Sequence, residues 1–435
     1  MGPFNLPVKS GSGWILVRTS AADSSIPGQG KRMTPSYAAQ LPKIVAPSTG
    51  PAIQTDAGAH HFRFVAVEIA LASSATYSYG LIQLGDGSAN QLPYSLIFDR
   101  VYVHGRSDAT VRRGFALNCG TAAVIDSYIS EVHEAGADSQ AIAGWNGSGP
   151  FKIANNYLEG SGENILFGGA DPKISNLVPS DIEIRGNYIF KPESWRGSSW
   201  TIKNLFELKN ARRVLVDGNI FEHNWPQAQN GFSILFTVRN QDGTAPWSVV
   251  EDITFTHNIA RHLSSAVNVL GTDNLHPSGQ TKRLLIKDNL FDDVNATNWG
   301  GSGRLFQMLD GAGDVTIDHN TAFHSGEVIM ASGAPNSSFY YRNNLSPHNQ
   351  YGVAGDGTFG NPMLTLTTYF PGAVFVRNIL QGGNPLSYPP DNFFPLTMAD
   401  VLFVDLLGGN YRLQLISPYK NAGTDGKDVG ADIDS

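Results

Sequence analysis

The sequence predicts an all-β protein, a single-stranded right-handed parallel β-helix of about eleven coils, and three observations support that prediction. A short phrase with a central asparagine recurs along the chain at spacings of 24 to 39 residues. The residues before each asparagine alternate between apolar and polar, with no helical periodicity. The 435-residue chain has 47 glycines and only 16% charged residues. A repeat of this length with variable loops between the copies is typical of a solenoid.

The repeated phrase is an alternating strand, one small or polar residue, an asparagine and two mostly apolar residues. Its eight clear copies have their asparagines at Asn156, Asn187, Asn219, Asn258, Asn289, Asn320, Asn344 and Asn378. Three weaker copies put Ala66, Arg100 and Ser127 at the equivalent position. Asparagines at the same turn of every coil can hydrogen-bond to one another along the axis, and asparagine tolerates the left-handed turn conformation. We therefore interpret these asparagines as scaffold.

The repeat also divides the chain. Residues 1–60 are rich in Pro, Ser and Gly, and we predict that they form an N-terminal cap, because a solenoid needs its open end covered. Residues 61–410 are predicted to form the β-helix, and residues 411–435 a C-terminal closing segment. The whole is one domain, since a solenoid grows along one axis.

Composition excludes several classes of function. The chain has 30 Lys+Arg against 38 Asp+Glu, a net charge of −8, and lacks a basic run, which argues against nucleic-acid binding. No apolar stretch approaches the ~20 residues of a membrane span or forms a signal peptide near the start. Cys119 is the only cysteine, so there is no disulfide framework and no cysteine-based metal site. We expect a monomer.

A second strand follows each asparagine turn, and its outward residues predict a groove. Clear copies start at Phe206 and Phe236, and less certain ones at Val267 and Phe306. Alternation turns these aromatic and aliphatic residues inward. The outward residues then form two columns, one of Glu207, Thr237, Asn268 and Gln307 and one of Lys209, Arg239, Leu270 and Leu309. Gly168 and Gly169 on the preceding coil leave room above the sheet for an extended ligand.

These features resemble a known family. The repeat over residues 60–410 and the ending from Ser417 to Asp432 are similar to the pectate-lyase-like β-helix superfamily. Glu207-Leu-Lys209 and Leu235-Phe-Thr-Val-Arg239 resemble the alginate-lyase and chondroitin-lyase branch, in which a lysine on one coil and an arginine on the next act together. The resemblance implies a carbohydrate-active protein that is secreted, extracellular or periplasmic, and cut from a precursor.

The chain departs from that branch at the metal site. The branch carries paired acidic metal ligands several residues before the lysine, where this chain has Lys203-Asn204, and a histidine after the arginine, where this chain has Asn240. The sequence therefore predicts no cofactor, with calcium as the alternative.

The chemistry of a polyuronate lyase matches the predicted column. Such an enzyme must neutralise the uronate carboxylate, remove the proton beside it and help the glycosidic oxygen to leave. Arg239 can hold a carboxylate in a bidentate fork or act as the acid. Lys209 is the predicted base, which requires its neutral form, and Glu207 is predicted to orient it. The leading hypothesis is cleavage of an acidic polysaccharide by β-elimination.

Further candidates for substrate binding lie on loops and neighbouring coils. They are Asp138, Trp145, Glu163, Glu222, His223, Trp225, Gln229, Asn268 and Gln307. In the alternative of a glycoside hydrolase, two of Asp138, Glu163, Glu207 and Glu222 are acid and base, about 6.5–9.5 Å apart in an inverting enzyme. A third alternative is a non-catalytic glycan-binding β-helix. His223, His262 and His324 are predicted to form one column, which could bind a metal ion or shuttle protons. Because the sequence does not choose between these roles, it assigns no metal ligands.

Overall fold

The computed structural model describes residues 3–433 and consists mainly of short parallel strands. Three sheets of twelve strands each run along the molecule, and every turn of the chain adds one strand to each sheet. The predicted right-handed parallel β-helix is confirmed, with twelve coils rather than about eleven.

The first, second and third sheets are numbered by the order of their first strands along the chain. The first sheet contains Phe4–Leu6, Ile53–Thr55, Ile82–Leu84, Arg113–Leu117, Gln140–Gly144, Glu163–Phe167, Asn204–Leu208, Phe232–Thr237, Ser265–Leu270, Phe306–Leu309, Ile329–Ser332 and Val353–Gly355. The second contains Ile15–Arg18, His60–Val65, Tyr94–Asp99, Ala122–Ile125, Phe151–Ala154, Ser180–Arg185, Ala211–Asp217, Val250–Thr256, Lys282–Lys287, Gly313–Asp318, Ser337–Arg342 and Val374–Val376. The third contains Lys43–Ala46, Glu68–Leu71, Tyr102–His104, Tyr128–Ser130, Tyr157–Glu159, Tyr188–Phe190, Ile220–Asn224, Ile259–Leu263, Leu290–Val294, Thr321–His324, Leu345–Pro347 and Ile379–Gln381.

The remaining elements lie in the connections. They are a parallel pair, Tyr77–Ser78 and Thr110–Val111, an antiparallel pair, Phe403–Asp405 and Asn410–Leu413, and two α-helices, Ala296–Trp299 and Pro362–Tyr369. Short 3₁₀ segments cover Asp23–Ser25, Pro35–Gln40, Glu193–Trp195, Pro385–Ser387 and Met398–Val401.

The predicted asparagine ladder is confirmed at the turn between the second and third sheets. In each coil the side-chain Nδ2 donates to Oδ1 of the next asparagine, as from Asn258 to Asn289 at 3.0 Å and from Asn289 to Asn320 at 2.9 Å. Each Oδ1 also accepts the backbone N–H of the preceding asparagine. The ladder runs from Asn156 through Asn378 and ends at Asn392, which the repeat had not identified.

The left-handed conformation lies one residue earlier than predicted. Asn155, His257 and Asp288, each directly before a ladder asparagine, have φ values of 54°, 53° and 53°. Ala66 and Arg100 also have positive φ, so they match this preceding position and not the asparagine itself. The asparagine must keep an extended backbone, because its amide N–H and side chain both bond along the axis.

The interior is one continuous apolar core. Inward residues of all three sheets stack on the same residue positions of the next coil, and ring pairs such as Phe64–Phe98 lie 5.0 Å apart. Cys119 is buried in this core, and burial raises the pKa of its thiol. The inward side chains of each coil pack against those of its two neighbouring coils. The outward side chains take no part in this core and can therefore be polar.

The expected terminal caps are not separate units. Residues 1–60 contain Phe4–Leu6, Ile15–Arg18 and Lys43–Ala46, which form the first strand of each sheet, so the β-helix begins well before residue 61. The final segment does not close the end of the rod: the N–H of Gly430 bonds to the carbonyl of Asn343 at 2.8 Å, on the outside of the asparagine turns. The Pro-, Ser- and Gly-rich composition of residues 1–60 reflects the long loops around the first coil.

The register of the Lys209 strand also differs from the alignment. Glu207 pairs with Leu235 and Leu208 with Phe236, so Lys209 comes next to Thr237 and not to Arg239. The alternation in residues 232–238 is satisfied equally by either register, because Ile234, Phe236 and Val238 are all inward and buried. The columns further along were correct for Asn268 with Gln307 and for Leu270 with Leu309.

Candidate functional site

An open cavity of about 460 Å³ lies on the outer face of the first sheet, and we call it the Lys209 cavity. It is lined by Glu207, Lys209, Gln229, Asn230, Leu235, Thr237, Arg239, Asn268, Leu270, Asn274, Leu309 and Asp310. Five of the predicted site residues are in this set. Gln307 lies directly beside it, because its Nε2 donates to Oδ1 of Asn268 at 3.2 Å.

Lys209 and Arg239 reach the cavity together despite the shifted register. The strand ends at Thr237, and the chain then turns so that the N–H of Arg239 bonds to the carbonyl of Lys209 at 2.9 Å. Gly168 makes room for this arrangement, because a Cβ there would lie 2.8 Å from Cβ of Lys209, and its φ is +97°. The loop geometry, and not strand pairing, therefore brings the two cations to one place.

A buried carboxylate in the following coil fixes Arg239. Its Nη1 donates to Oδ1 of Asp273 at 2.5 Å and to Oδ1 of Asn274 at 3.0 Å. Burial works to raise the pKa of Asp273, but the N–H groups of Leu275 and Asn240 together with Arg239 outweigh it and lower that pKa. Nε and Nη2 of Arg239 take part in no hydrogen bond within residues 3–433, so this edge of the guanidinium can bind a ligand.

Lys209 stands above a carboxylate that its neighbours hold in place. Its Nζ lies 3.7 Å from Oε1 of Glu207 and donates no hydrogen bond within the described part of the chain. Glu207 is 2% exposed and accepts hydrogen bonds from Thr237 at 3.0 Å and from Asn204 at 3.2 Å. Glu207 is thus fixed within ion-pair distance of Lys209.

A second charged group, formed by Asp138, Glu163 and Lys203, lies where three successive strands of the first sheet begin. Nζ of Lys203 lies 2.5 Å from Oδ2 of Asp138 and 3.7 Å from Oε1 of Glu163. Burial, with the nearby carboxylates of Asp138 and Glu207, raises the pKa of Glu163 to about 7. Glu163 is fully buried, so a ligand on the open face does not reach its carboxyl group.

This group does not fit a calcium site. The ammonium of Lys203 already lies within ion-pair distance of both Asp138 and Glu163. Calcium prefers six to eight oxygen ligands. Across residues 3–433, no group of three or more His, Cys, Asp or Glu side chains is arranged to hold a metal ion.

Glu222, His223 and Trp225 lie elsewhere than predicted. Glu222 and His223 belong to a strand of the third sheet, so they do not line the Lys209 cavity. Glu222 accepts a hydrogen bond from Arg261 at 3.0 Å, and the ring of His223 stacks on Trp299 at 5.1 Å. Trp225 is 6% exposed, in an apolar cluster with other loop residues, which leaves little of its ring for a sugar.

The histidine column is interrupted. His324 pairs with Val294 because the register shifts after Phe291, and burial lowers its pKa to about 4. His223 and His262 remain neighbours, with ring centres 5.5 Å apart. A metal site built from all three histidines is therefore not formed.

Trp145 lies on the first sheet's side of the molecule, in a different coil from the cavity. The guanidinium of Arg113 lies 5.0 Å from the centre of its ring.

The sequence analysis did not identify four residues at or beside the Lys209 cavity, Asp273, Asn274, Asn230 and Asp310, all of which lie on loops or at strand ends. No periodic signal marks such positions.

Comparisons with known proteins add the following. No family model matches the chain, and no curated protein matches it. A solved structure of pectate lyase Pel9A matches with a TM-score of 0.43 and 12% identity over 97% of both chains. The catalytic unit of a thermostable GH87 α-1,3-glucanase from Streptomyces thermodiastaticus matches with a TM-score of 0.40 and 13% identity over 85% of this chain and 70% of the other.

A complex of XylC with xylose matches with a TM-score of 0.42 and 9% identity, over 79% of this chain and 54% of the XylC chain. This protein thus spans about half the length of that relative. Similarities at this level carry no information about the activity of this chain. Separately, no helix within residues 3–433 is both long and apolar enough to cross a membrane.

Proposed function

We propose that the protein is a secreted polysaccharide lyase that cleaves a uronate-containing polysaccharide by β-elimination in the Lys209 cavity. The observation that carries the proposal is the pairing of two cations, Lys209 and Arg239, in one open cavity, each with donors that no described residue uses. An anionic ligand satisfies both.

Arg239 is suited to the substrate carboxylate. Asp273 and Asn274 hold its Nη1, and Nε and Nη2 form no hydrogen bond within residues 3–433, while Arg239 lines the cavity. Two parallel N–H groups match the two oxygens of a carboxylate. Neutralising that carboxylate makes the proton on the adjacent carbon easier to remove.

Lys209 is suited to the proton transfer. In its neutral form, the amine takes the proton from the carbon beside the carboxylate, the C–H electrons form a carbon–carbon double bond, and the glycosidic C–O bond breaks. The new ammonium can return its proton to the leaving oxygen. Glu207, 3.7 Å away, positions the side chain.

The carboxylates of the cavity favour elimination over hydrolysis. A hydrolase needs one protonated and one ionised carboxyl group in contact with the sugar. Glu207 and Asp310 are the carboxylates that line the cavity. Glu207 is buried and accepts hydrogen bonds from two side chains, so Asp310 has no accessible carboxylate partner there, and Asp273 is held by Arg239. Glu163 has the raised pKa of a general acid but no exposed surface.

The test is incubation with a panel of purified uronate polymers, followed both by the ultraviolet absorbance of the unsaturated product and by reducing ends. We expect both signals from the wild-type protein. Lys209→Ala should lower kcat/KM by about 10²–10⁴-fold, the usual contribution of a general base. Arg239→Lys, which keeps the charge but loses the fork, should mainly raise KM.

The matched control is Lys152→Ala, an exposed lysine paired with Glu183 on the second sheet, which should leave activity unchanged. Reducing ends without the absorbance would show a hydrolase. Binding with no new ends would show a glycan-binding protein. Full activity in Lys209→Ala would exclude Lys209 as the base.

A further inference from the structure

A four-layer stack of two arginines and two aromatic rings lies on the same side of the molecule as the Lys209 cavity. The guanidinium of Arg112 lies 5.3 Å from the centre of the Tyr79 ring, and that of Arg113 lies 4.9 Å from it. The guanidinium of Arg113 also lies 5.0 Å from the centre of the Trp145 ring. Cation–π contacts of this kind hold a guanidinium in a fixed plane.

Arg113 lacks a counter-ion. Its Nε and Nη1 are buried without a hydrogen-bond partner, and no carboxylate in residues 3–433 forms an ion pair with it. Arg112 also has an unpartnered Nε and approaches Glu134 only to 3.7 Å. Arg113 as a residue is only partly buried, and its Nη2 is neither buried nor hydrogen-bonded within residues 3–433, so an added anion can reach the guanidinium there and balance its charge. Burial accordingly lowers the pKa of Arg113.

The stack is aligned with the cavity along the rod. Arg113 pairs with Gln140, Gln140 with Glu163, and Glu163 with Asn204, the first residue of the Lys209 strand. Three coil spacings of about 4.8 Å separate Arg113 from that strand, roughly 14 Å. Tyr79 is 42% exposed, so the stack is accessible from solvent.

We propose that Arg113, held between Tyr79 and Trp145, binds a second carboxylate of the polysaccharide, several sugars away from the one held by Arg239. The inference rests on the proposed function for its substrate class. It adds a requirement on length: Arg239 follows the strand one coil beyond the Lys209 strand, so a chain must span about four coils, roughly 19 Å, to engage both arginines. Short oligouronates can fill the cavity but cannot reach the stack.

The test measures affinity and not cleavage, so it stands whether or not the protein is a lyase. Oligouronates of two and of ten sugars are titrated calorimetrically into the wild-type protein and Arg113→Met, both in a Lys209→Ala background if the wild type cleaves them. Methionine keeps an apolar stem between the two rings. We expect affinity for the decamer to fall about tenfold or more, and that for the dimer to be unchanged.

Two further variants make the result interpretable. Arg113→Lys keeps the charge, loses the planar fork and should give an intermediate loss, which also covers the case in which Arg113→Met does not fold. Arg213→Met, an exposed arginine paired with Asp181 on the second sheet, should change nothing. Unchanged melting temperatures confirm that the loss is local.

Several results would overturn the proposal. They are decamer affinity equal to wild type in both Arg113 variants, an equal loss for dimer and decamer, or the same loss for a neutral glucan. A sulfated polymer without uronate that competes equally well would show that the site takes any anion and is not specific for a carboxylate. If the decamer binds as predicted but is never cleaved, only the lyase proposal fails.

Discussion

The protonation state of a charged residue on the first sheet depends on its burial and on charged neighbours from adjacent coils. Glu163 is the clearest case, because its side chain is fully buried beside Asp138 and Glu207 while Lys203 approaches it only to 3.7 Å. Burial, first of all, raises the pKa of its carboxyl group to about 7 from an ordinary value of 4.5. The folded protein therefore retains a proton that the unfolded chain would release between these values.

This retention makes stability depend on pH in a definite direction. Where the folded state binds more protons than the unfolded state, the free energy of unfolding falls as the pH rises. We expect the contribution of Glu163 to be present below about pH 4.5 and to be lost between there and pH 7, by at most about 3 kcal/mol. Thermal unfolding at pH 5 and pH 7.5 measures it.

Glu163→Gln is the matching variant, because glutamine has the same shape and cannot titrate. It should reduce the loss of melting temperature between pH 5 and pH 7.5. Asp86→Asn, on an exposed loop, should leave that difference nearly as it is. An identical pH profile in wild type and Glu163→Gln would contradict the raised pKa.

At the scale of the repeated element, the asparagine ladder satisfies the backbone at the turn that every coil makes. Nδ2 of Asn289 donates to Asn320, to the carbonyl of Phe255 and to that of Lys287, and its Oδ1 accepts from Asn258. Asn289 is fully buried, so water cannot replace these partners. One side chain thus joins three coils.

Asn289→Ala should lower the free energy of unfolding by about 2–4 kcal/mol, because it leaves several buried groups without partners. Chemical denaturation measures the change. Asn90→Ala, on an exposed loop, is the control and should cost under about 0.5 kcal/mol. A loss at Asn289 no larger than at Asn90 would mean that the ladder contributes little.

At the scale of the whole molecule, both terminal segments lie along the corner formed by the asparagine turns. Near the start, the N–H of Met33 bonds to Asp126 at 2.7 Å, and Arg32 donates to the carbonyls of Asn155 at 3.1 Å and Gly186 at 3.0 Å. Near the end, the N–H of Ala431 bonds to Thr321 at 2.9 Å. The two segments therefore connect coils that are far apart in sequence.

Arg32→Ala tests this connection. Losing its bonds to two carbonyls should lower stability by about 1–3 kcal/mol and make residues 20–41 more sensitive to chymotrypsin, which can cut after Tyr37. Arg18→Ala is the control, because the Arg18–Asp23 pair is exposed and such pairs contribute little. Equal protection in both variants would show that Arg32 does not hold the segment.

The fold could be predicted from the sequence because local signals that recur in each coil determine it. Ladder asparagines such as Asn258 recur at one turn of each coil, and alternation identifies the inward faces of each strand. The same signals placed Asn268 beside Gln307 correctly. A β-helix depends mainly on contacts between neighbouring coils, so a periodic sequence determines most of it.

The site was determined only by the tertiary structure. Alternation could not choose between two registers for the strand at 232–237, and the turn after Thr237 brings Arg239 to Lys209 in a way that strand pairing does not. Asp273, which orients Arg239, comes from a loop of the next coil and has no counterpart in the repeat. Loop conformations depend on how the loops pack against the folded β-helix, and a periodic sequence pattern does not predict that packing.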